Sequence, residues 1–340
     1  MLEIISFRND ERSLVEVFRA FPAQLYESTE LASNVSETPG TEFNPRYYMA
    51  KDGDRILARA CRLENSVIKY NGLRTGLIGH FESRNDLQAA IFLLKTIVDD
   101  LRSEGYEYVV GPLNGSTWNS YRVVEASENG PFFLDVVGKD WYSAQFKTCG
   151  FSCIAGYSST ETRSLNGNYE RLEKFYRIFM QKGLRIRPLE LNHFDEELNR
   201  IYQVVCESFK NSFLYSPIGF EEFRARYSKL LPFIDPQFAL IAEDQEKAWG
   251  FVLALPDPTS LSEKRVVIKT LGIRPAVKVR GLGVVLTEMI HQKAAAENYS
   301  SVIHALMYDQ NVSSNILADN AVTIRRYTLF GKSLVNLACQ

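Results

Sequence analysis

No stretch of this sequence is apolar for long enough to cross a bilayer. Charges interrupt every hydrophobic run, as Lys95 does after Ala89–Leu94, so a membrane span is not expected. The first residues carry Glu3, Arg8, Asp10 and Glu11 rather than the apolar core of a signal peptide. An excess charge of one sign is also missing: 39 basic and 41 acidic residues leave a net charge of −2. That balance gives no electrostatic case for nucleic acid or for an anionic lipid surface. Cysteines number five, an odd count without paired spacing, which points to reduced thiols and a cytoplasmic setting. Cys149 and Cys153 have no matching histidine cluster, and the four histidines are scattered, so no metal site is expected.

The chain does contain enough residues, 340, for two domains of about 170 each. Hydrophobic residues make up 45% and charged residues 24%, ordinary values for a globular protein with a buried core. The order of elements repeats. Leu2–Phe7 and Leu184–Pro188 open the two halves as short strands. Helical patterns follow, through Leu14, Val17, Phe18 and Phe21 in one and Leu198, Ile201, Tyr202, Val205 and Phe209 in the other. Each half then has a strand pair around a polar turn, Tyr47–Ala50 with Ile56–Leu63 and Gln237–Ala242 with Ala248–Leu255. A further strand (Gly76–Phe81; Val266–Ile273), a long amphipathic helix and a buried-type strand (Tyr106–Val110; Ser301–Leu306) complete both. In the first half that helix is expected to start at an Asp86 cap and to stop at Gly105. The pattern predicts a mixed α/β fold, with domains at 1–160 and 184–340 and a connector at 161–183.

The most informative segment is Thr270–Ile290, an apolar strand, a basic glycine turn and an amphipathic helix with Leu282, Val285, Leu286, Met289 and Ile290 on one face. A glycine turn entering a helix leaves unpaired N–H groups pointing one way, with the positive end of the helix dipole behind them, and this arrangement holds a phosphate. Side chains at Gly281 or Gly283 would keep an anion off those amides, and such turns often need a positive φ. Lys278 and Arg280 add positive charge. Taken alone the turn is equally readable as one that merely needs glycine, since it lacks the full dinucleotide and P-loop fingerprints.

Leu271-Gly-Ile-Arg-Pro-Ala-Val-Lys-Val-Arg-Gly-Leu-Gly283 resembles the acetyl-CoA-binding motif of GNAT acetyltransferases, Q/R-x-x-G-x-G/A after a strand, with Lys278 standing where Gln or Arg is usual. Asp309-Gln-Asn311 resembles the Asn that opens the following GNAT helix, and Trp141–Phe151 the helix-then-Gly-Phe ending of a GNAT domain. The chain as a whole is similar to a tandem GNAT protein, two domains each with a mixed, mostly antiparallel sheet flanked by helices. The resemblance implies an N-acyltransferase that moves an acetyl or other short acyl group from acetyl-CoA (acyl-CoA) to a primary amine by direct attack. It also implies cofactor contacts from Leu271, Gly272, Ile273, Lys278, Val279, Arg280, Gly281, Leu282, Gly283, Val284, Asn311 and Ser314, with the strand amides at 271–273 as oxyanion donors. A non-catalytic acyl-CoA-binding protein, or an aminoacyl or long-chain acyl transferase, are the alternatives.

The first half lacks the glycine turn. It has Phe81-Glu-Ser-Arg-Asn-Asp-Leu87 instead, and carboxylates at Glu82 and Asp86 would repel a diphosphate, so only the second half is expected to bind CoA. The helix after Asn311 carries no tyrosine where many GNAT enzymes have one. Tyr308 and Asp309, at the exit of the fifth strand, are the candidate catalytic groups, readable also as a loop aromatic and a helix cap. Phe213 and Tyr215 are candidate contacts for the amine, in a stretch that core packing explains as well. Glu243 is a base candidate or a solvated turn charge, His304 is expected in the core, and His291 on the polar face of its helix. A small-molecule amine partner is expected, and either a homodimer or a monomer whose halves form an internal pseudo-dimer.

Overall fold

A computed structural model describes residues 1–27, 35, 37–125, 127, 130–165, 169–260, 262–277, 279–310 and 320–335. The mixed α/β chain divides into two compact units that interleave in sequence. The first holds Met1–Ser127, Val136–Gly156 and Arg326–Gln340; the second holds Glu128–Asp135 and Tyr157–Arg325. The sequence suggests consecutive domains, whereas the last strand of the chain, from Arg326 on, groups with the first unit.

In the first unit the strands are β1 (Leu2–Phe7), β2 (Arg46–Asp52), β3 (Arg55–Leu63), β4 (Lys69–Tyr70), β5 (Leu73–Ser83), β6 (Tyr108–Gly111) and β7 (Val123–Val124). Helices α1 (Arg12–Ala20), α2 (Leu87–Ser103) and α3 (Tyr142–Thr148) accompany them. The second unit takes most of β8 (Ser152–Thr162), with α4 (Tyr169–Gln181), β9 (Arg185–Pro188), α5 (Phe194–Ser208) and α6 (Phe220–Ser228). It continues with β10 (Ala239–Glu243), β11 (Ala248–Pro256), β12 (Arg265–Ile273), α7 (Leu282–Ala296) and β13 (Ser301–Tyr308). Strand β14 (Val322–Ser333) passes from the second unit to the first at Arg326.

Both units use one strand plan. In the first, β1, β2, β3 and β5 pair antiparallel, β5 pairs parallel with β6, and β6 pairs antiparallel with Phe330–Ser333 of β14. In the second, β9 to β12 pair antiparallel, β12 pairs parallel with β13, and β13 pairs antiparallel with Tyr157–Thr162 of β8. The short β4 and β7 attach to β5 and β14.

Helical periodicity positions the two long helices. Along α2, Ala89, Ala90, Leu93, Leu94, Ile97, Val98 and Leu101 are buried, and along α7 Leu282, Val285, Leu286, Ile290 and Ala294. Each fully buried Leu or Ile contributes about 1.5–3 kcal/mol. The cap at Asp86 forms as expected, its carboxylate accepting from Ala89 N at 2.9 Å, and Gly105 ends the helix at φ +79°.

Candidate functional site

The second unit turns from β12 to α7 through Arg274–Gly281. Gly281 caps the helix at φ 89° and ψ 4°, a left-handed conformation that glycine adopts without strain. Gly281 itself offers no capping side chain, and the first turn of the helix holds no acidic residue. The main-chain N–H groups of Leu282, Gly283 and Val284 therefore have no partner within the helix. Gly283 is buried in the first turn and Arg280 is exposed beside it, while Val279 is packed into the core at 6% exposure. The positive end of the helix dipole lies at the same place.

Next to this turn the two central strands part. β12 pairs with β13 only from Arg265↔Ser301 to Ile268↔His304, although β12 runs on to Ile273 and β13 to Tyr308. A bulge at Lys269 shifts the register of β12 on β11. After His304, β13 changes register on β8, Leu306 takes φ 57°, and its N–H donates to Ser159 Oγ at 2.9 Å. Leu271, Gly272 and Ile273 thus lie on the part of β12 that β13 no longer pairs. At Gly272 a Cβ would stand 2.5 Å from the Phe251 ring, so only glycine fits against that ring.

The first unit has the same strands and a closed edge. Beyond the β5–β6 pairing, Leu113 N donates to Ile78 O at 2.8 Å and His80 N to Asn114 Oδ1 at 2.7 Å. At the end of β5, Ser83 N donates to Tyr142 Oη (3.1 Å) and Ser83 O accepts from Trp141 Nε1 (2.9 Å). Arg84 O accepts from Gln145 Nε2 at 3.0 Å. Glu82 corrects the sequence reading: it does not face the helix terminus. It is buried in β5, accepts from Tyr26 Oη at 2.8 Å and Tyr142 Oη at 2.7 Å, and burial raises its pKa against the pull of Arg59.

Residues 198–318 match the family model described as the acetyltransferase (GNAT) family. That match lies within the second unit and makes this segment similar to GNAT acetyltransferases. A GCN5-related N-acetyltransferase from Sphaerobacter thermophilus aligns with 97% of this chain and 96% of its own, at 12% identity and TM-score 0.53. A tandem GNAT protein from the clavulanic acid biosynthesis pathway aligns over 98% and 99%, at 9% identity and TM-score 0.52. The GCN5-related glucosamine N-acetyltransferase region of a fungal multi-domain GH3 beta-N-acetylglucosaminidase gives TM-score 0.58 at 11% identity. There this chain is covered to 98% but spans only 38% of the other. At these identities the likeness is one of fold. No curated protein matches the sequence.

The candidate acid–base groups gather at the exit of β13. Tyr308 is half-buried, its ring 5.8 Å from Phe213 and 5.3 Å from Tyr157, and its hydroxyl donates to Gln310 Oε1 at 3.1 Å. Exposed Asp309 accepts from Ser158 Oγ at 2.9 Å. Tyr215 is half-buried, and burial first, then Cys206 and Tyr202, push its phenol up to about 12. Lys278, Asn311 and Ser314 lie outside the described residues.

Two sequence readings are corrected. Glu243 is neither a solvated turn charge nor a free base: it is 3% exposed and accepts from Arg185 (2.7 Å), Arg187 (2.8 Å) and Arg200 (2.8 Å). Burial pushes its carboxyl up, but the three guanidinium groups outweigh that and bring it to about 2. His291 does not lie on a polar face: it is 3% exposed, and its Nε2 stands 2.9 Å from Nε2 of His304, which is in the core as expected. The sequence marks Gly111–Tyr121, after β6, as a turn-rich stretch that could line a pocket or be a surface loop; in the structure its Leu113 and Asn114 close the first unit's edge. The turn signals there were visible, but their strand partners were not.

Among the described residues no group of three or more His, Cys, Asp or Glu is placed to hold a metal ion. The described cysteines Cys61, Cys149, Cys153 and Cys206 are free. No described helix is long and apolar enough to cross a membrane.

Proposed function

We propose that the second unit transfers an acetyl or other short acyl group from acyl-CoA to the nitrogen of a primary amine, and that the first unit is a structural or substrate-side partner that binds no CoA. The glycine-capped first turn of α7, beside the end of β12 that β13 no longer pairs, carries this reading. The N–H groups of Leu282, Gly283 and Val284 suit the diphosphate, with Lys278 and Arg280 adding charge. The thioester would lie along Leu271–Ile273, whose main-chain N–H groups receive the charge that develops on the carbonyl oxygen.

The amine nitrogen attacks the thioester carbon, the C–S bond breaks, and the thiolate leaves with its electron pair. The nitrogen must lose a proton and the sulfur must gain one. Tyr308 and Asp309 are the groups assigned to that traffic, with Phe213 and Tyr215 against the body of the amine. Free thiol release from acetyl-CoA, followed across a panel of primary amines, tests the assignment. Amine-dependent release that falls in Tyr308→Phe or Asp309→Asn supports it; slow hydrolysis unchanged by every amine contradicts transfer. The second reading, a binder without catalysis, draws on the side-chain partners that Tyr308 and Asp309 already have, Gln310 and Ser158. Acetyl-CoA affinity without amine-dependent release selects it.

A further inference from the structure

His291 and His304 meet where β12 and β13 part. His304 is the last residue of β13 to pair with β12, opposite Ile268, and beyond it β13 shifts register on β8. His291 is on α7, about 13 Å along the axis from the first turn of that helix. Their rings are perpendicular (89°), with Nε2 to Nε2 at 2.9 Å and side chains that are almost wholly buried. One proton fits on that axis, so one ring donates from Nε2–H and the other accepts, carrying its own proton on Nδ1. Desolvation keeps both neutral: it pushes His291 down to about 4 and, with His291 beside it, His304 down to about 3.

The remainder of the buried face of α7 is apolar or small apart from Thr287. Apolar packing is non-directional and tolerates sliding, whereas a buried hydrogen bond is satisfied at one register. We propose that the His291–His304 bond is a positioning device, which sets the axial register of α7 against the diverging end of β13 and so aligns the helix terminus with the cleft. This rests on the acyl-CoA reading above. The pair governs how the acyl group is held relative to β12, and not whether the diphosphate is gripped.

The test uses acetyl-CoA labelled with 13C at the carbonyl. Loss of one partner alone leaves a buried polar nitrogen, so the decisive variant is the double His291→Leu/His304→Leu, which removes both and need cost little stability. It is expected to melt within a few degrees of the native protein and to bind free coenzyme A within about threefold of native affinity. The bound carbonyl resonance, a single displaced line in the native protein, should return toward its free position or split. His304→Gln restores a polar atom near Nε2 and should restore the native line. Nitrogen-15 spectra of the native imidazoles should show two neutral rings in opposite tautomers. A folded double-Leu variant with the native carbonyl line, or native rings in the same tautomer, overturns the proposal. Native protein with no affinity for either acetyl-CoA or coenzyme A overturns instead the acyl-CoA reading on which it rests.

Discussion

In the first unit β5 hands over to α2 through Ser83–Asp86, and the polar backbone there already has protein partners. Asp86 caps the helix, Tyr142 and Trp141 bind both main-chain groups of Ser83, and Leu113 with Asn114 follows β5 out to His80. In the second unit β12 hands over to α7 through a left-handed Gly281, which has no side chain to cap the helix, and β13 leaves after His304. The strand plan is the same in both. What differs is a handful of side chains that bond the main chain at the end of β5. On the proposed reading, one architecture can present a ligand site in one unit and do without it in the other by satisfying its own amides.

The largest expected effect attacks the open edge. Gly283→Asp puts a carboxylate among the helix N–H groups and should lower acetyl-CoA affinity by about two orders of magnitude, through charge and lost close approach. Calorimetric titration checks it, and an unchanged affinity would erase the contrast between the units. Gly281→Asp should do the same and also cost about 1–2 kcal/mol in stability, because its Cβ must adopt the left-handed region.

Acid denaturation sharpens the comparison next. The histidine pair has folded pKa values below the unfolded value near 6.5, so its contribution is complete above that pH and is lost as pH falls toward about 4. Glu243 is depressed from 4.5 to about 2, so its contribution is complete above 4.5 and is lost as pH falls toward 2. Stability of the second unit should therefore fall in two windows, and His291→Leu/His304→Leu should flatten only the upper one. Melting curves from pH 7.5 to 3 measure this. A native profile flat from 6.5 to 4.5 would contradict the buried neutral pair.

The smallest effect is on the closed edge. Asp86→Ala removes a helix cap, which costs about 1 kcal/mol, a fall in melting temperature of roughly 2–4 °C for a unit of this size. Acetyl-CoA stoichiometry should stay at one per chain, since Tyr142, Trp141, Leu113 and Asn114 still occupy the backbone of β5. A second binding event would show that the aspartate alone had closed the site.

Local features were legible in the sequence because their causes are local. The period of 3.6 in Leu87–Ser103, the Asp86 cap, the stop at Gly105 and the left-handed Gly281 each follow from a few neighbouring residues. The repeat of strand and helix order carried the fold class. The rest depends on partners far apart in the chain. Nothing near Glu243 announces Arg185, Arg187 and Arg200. The sequence around His291 offers Gln292 and Lys293 as neighbours, and only the fold brings His304 to it. Similarly, Arg326 gives no local sign that β14 closes the sheet of the first unit.

The most direct test of the account is a structure of the chain crystallised with coenzyme A. One molecule per chain is expected, with its diphosphate on the main-chain N–H groups of Leu282, Gly283 and Val284 and its pantetheine arm between β12 and β13. Coenzyme A at Glu82–Leu87 of the first unit, or a diphosphate held away from α7, would contradict it.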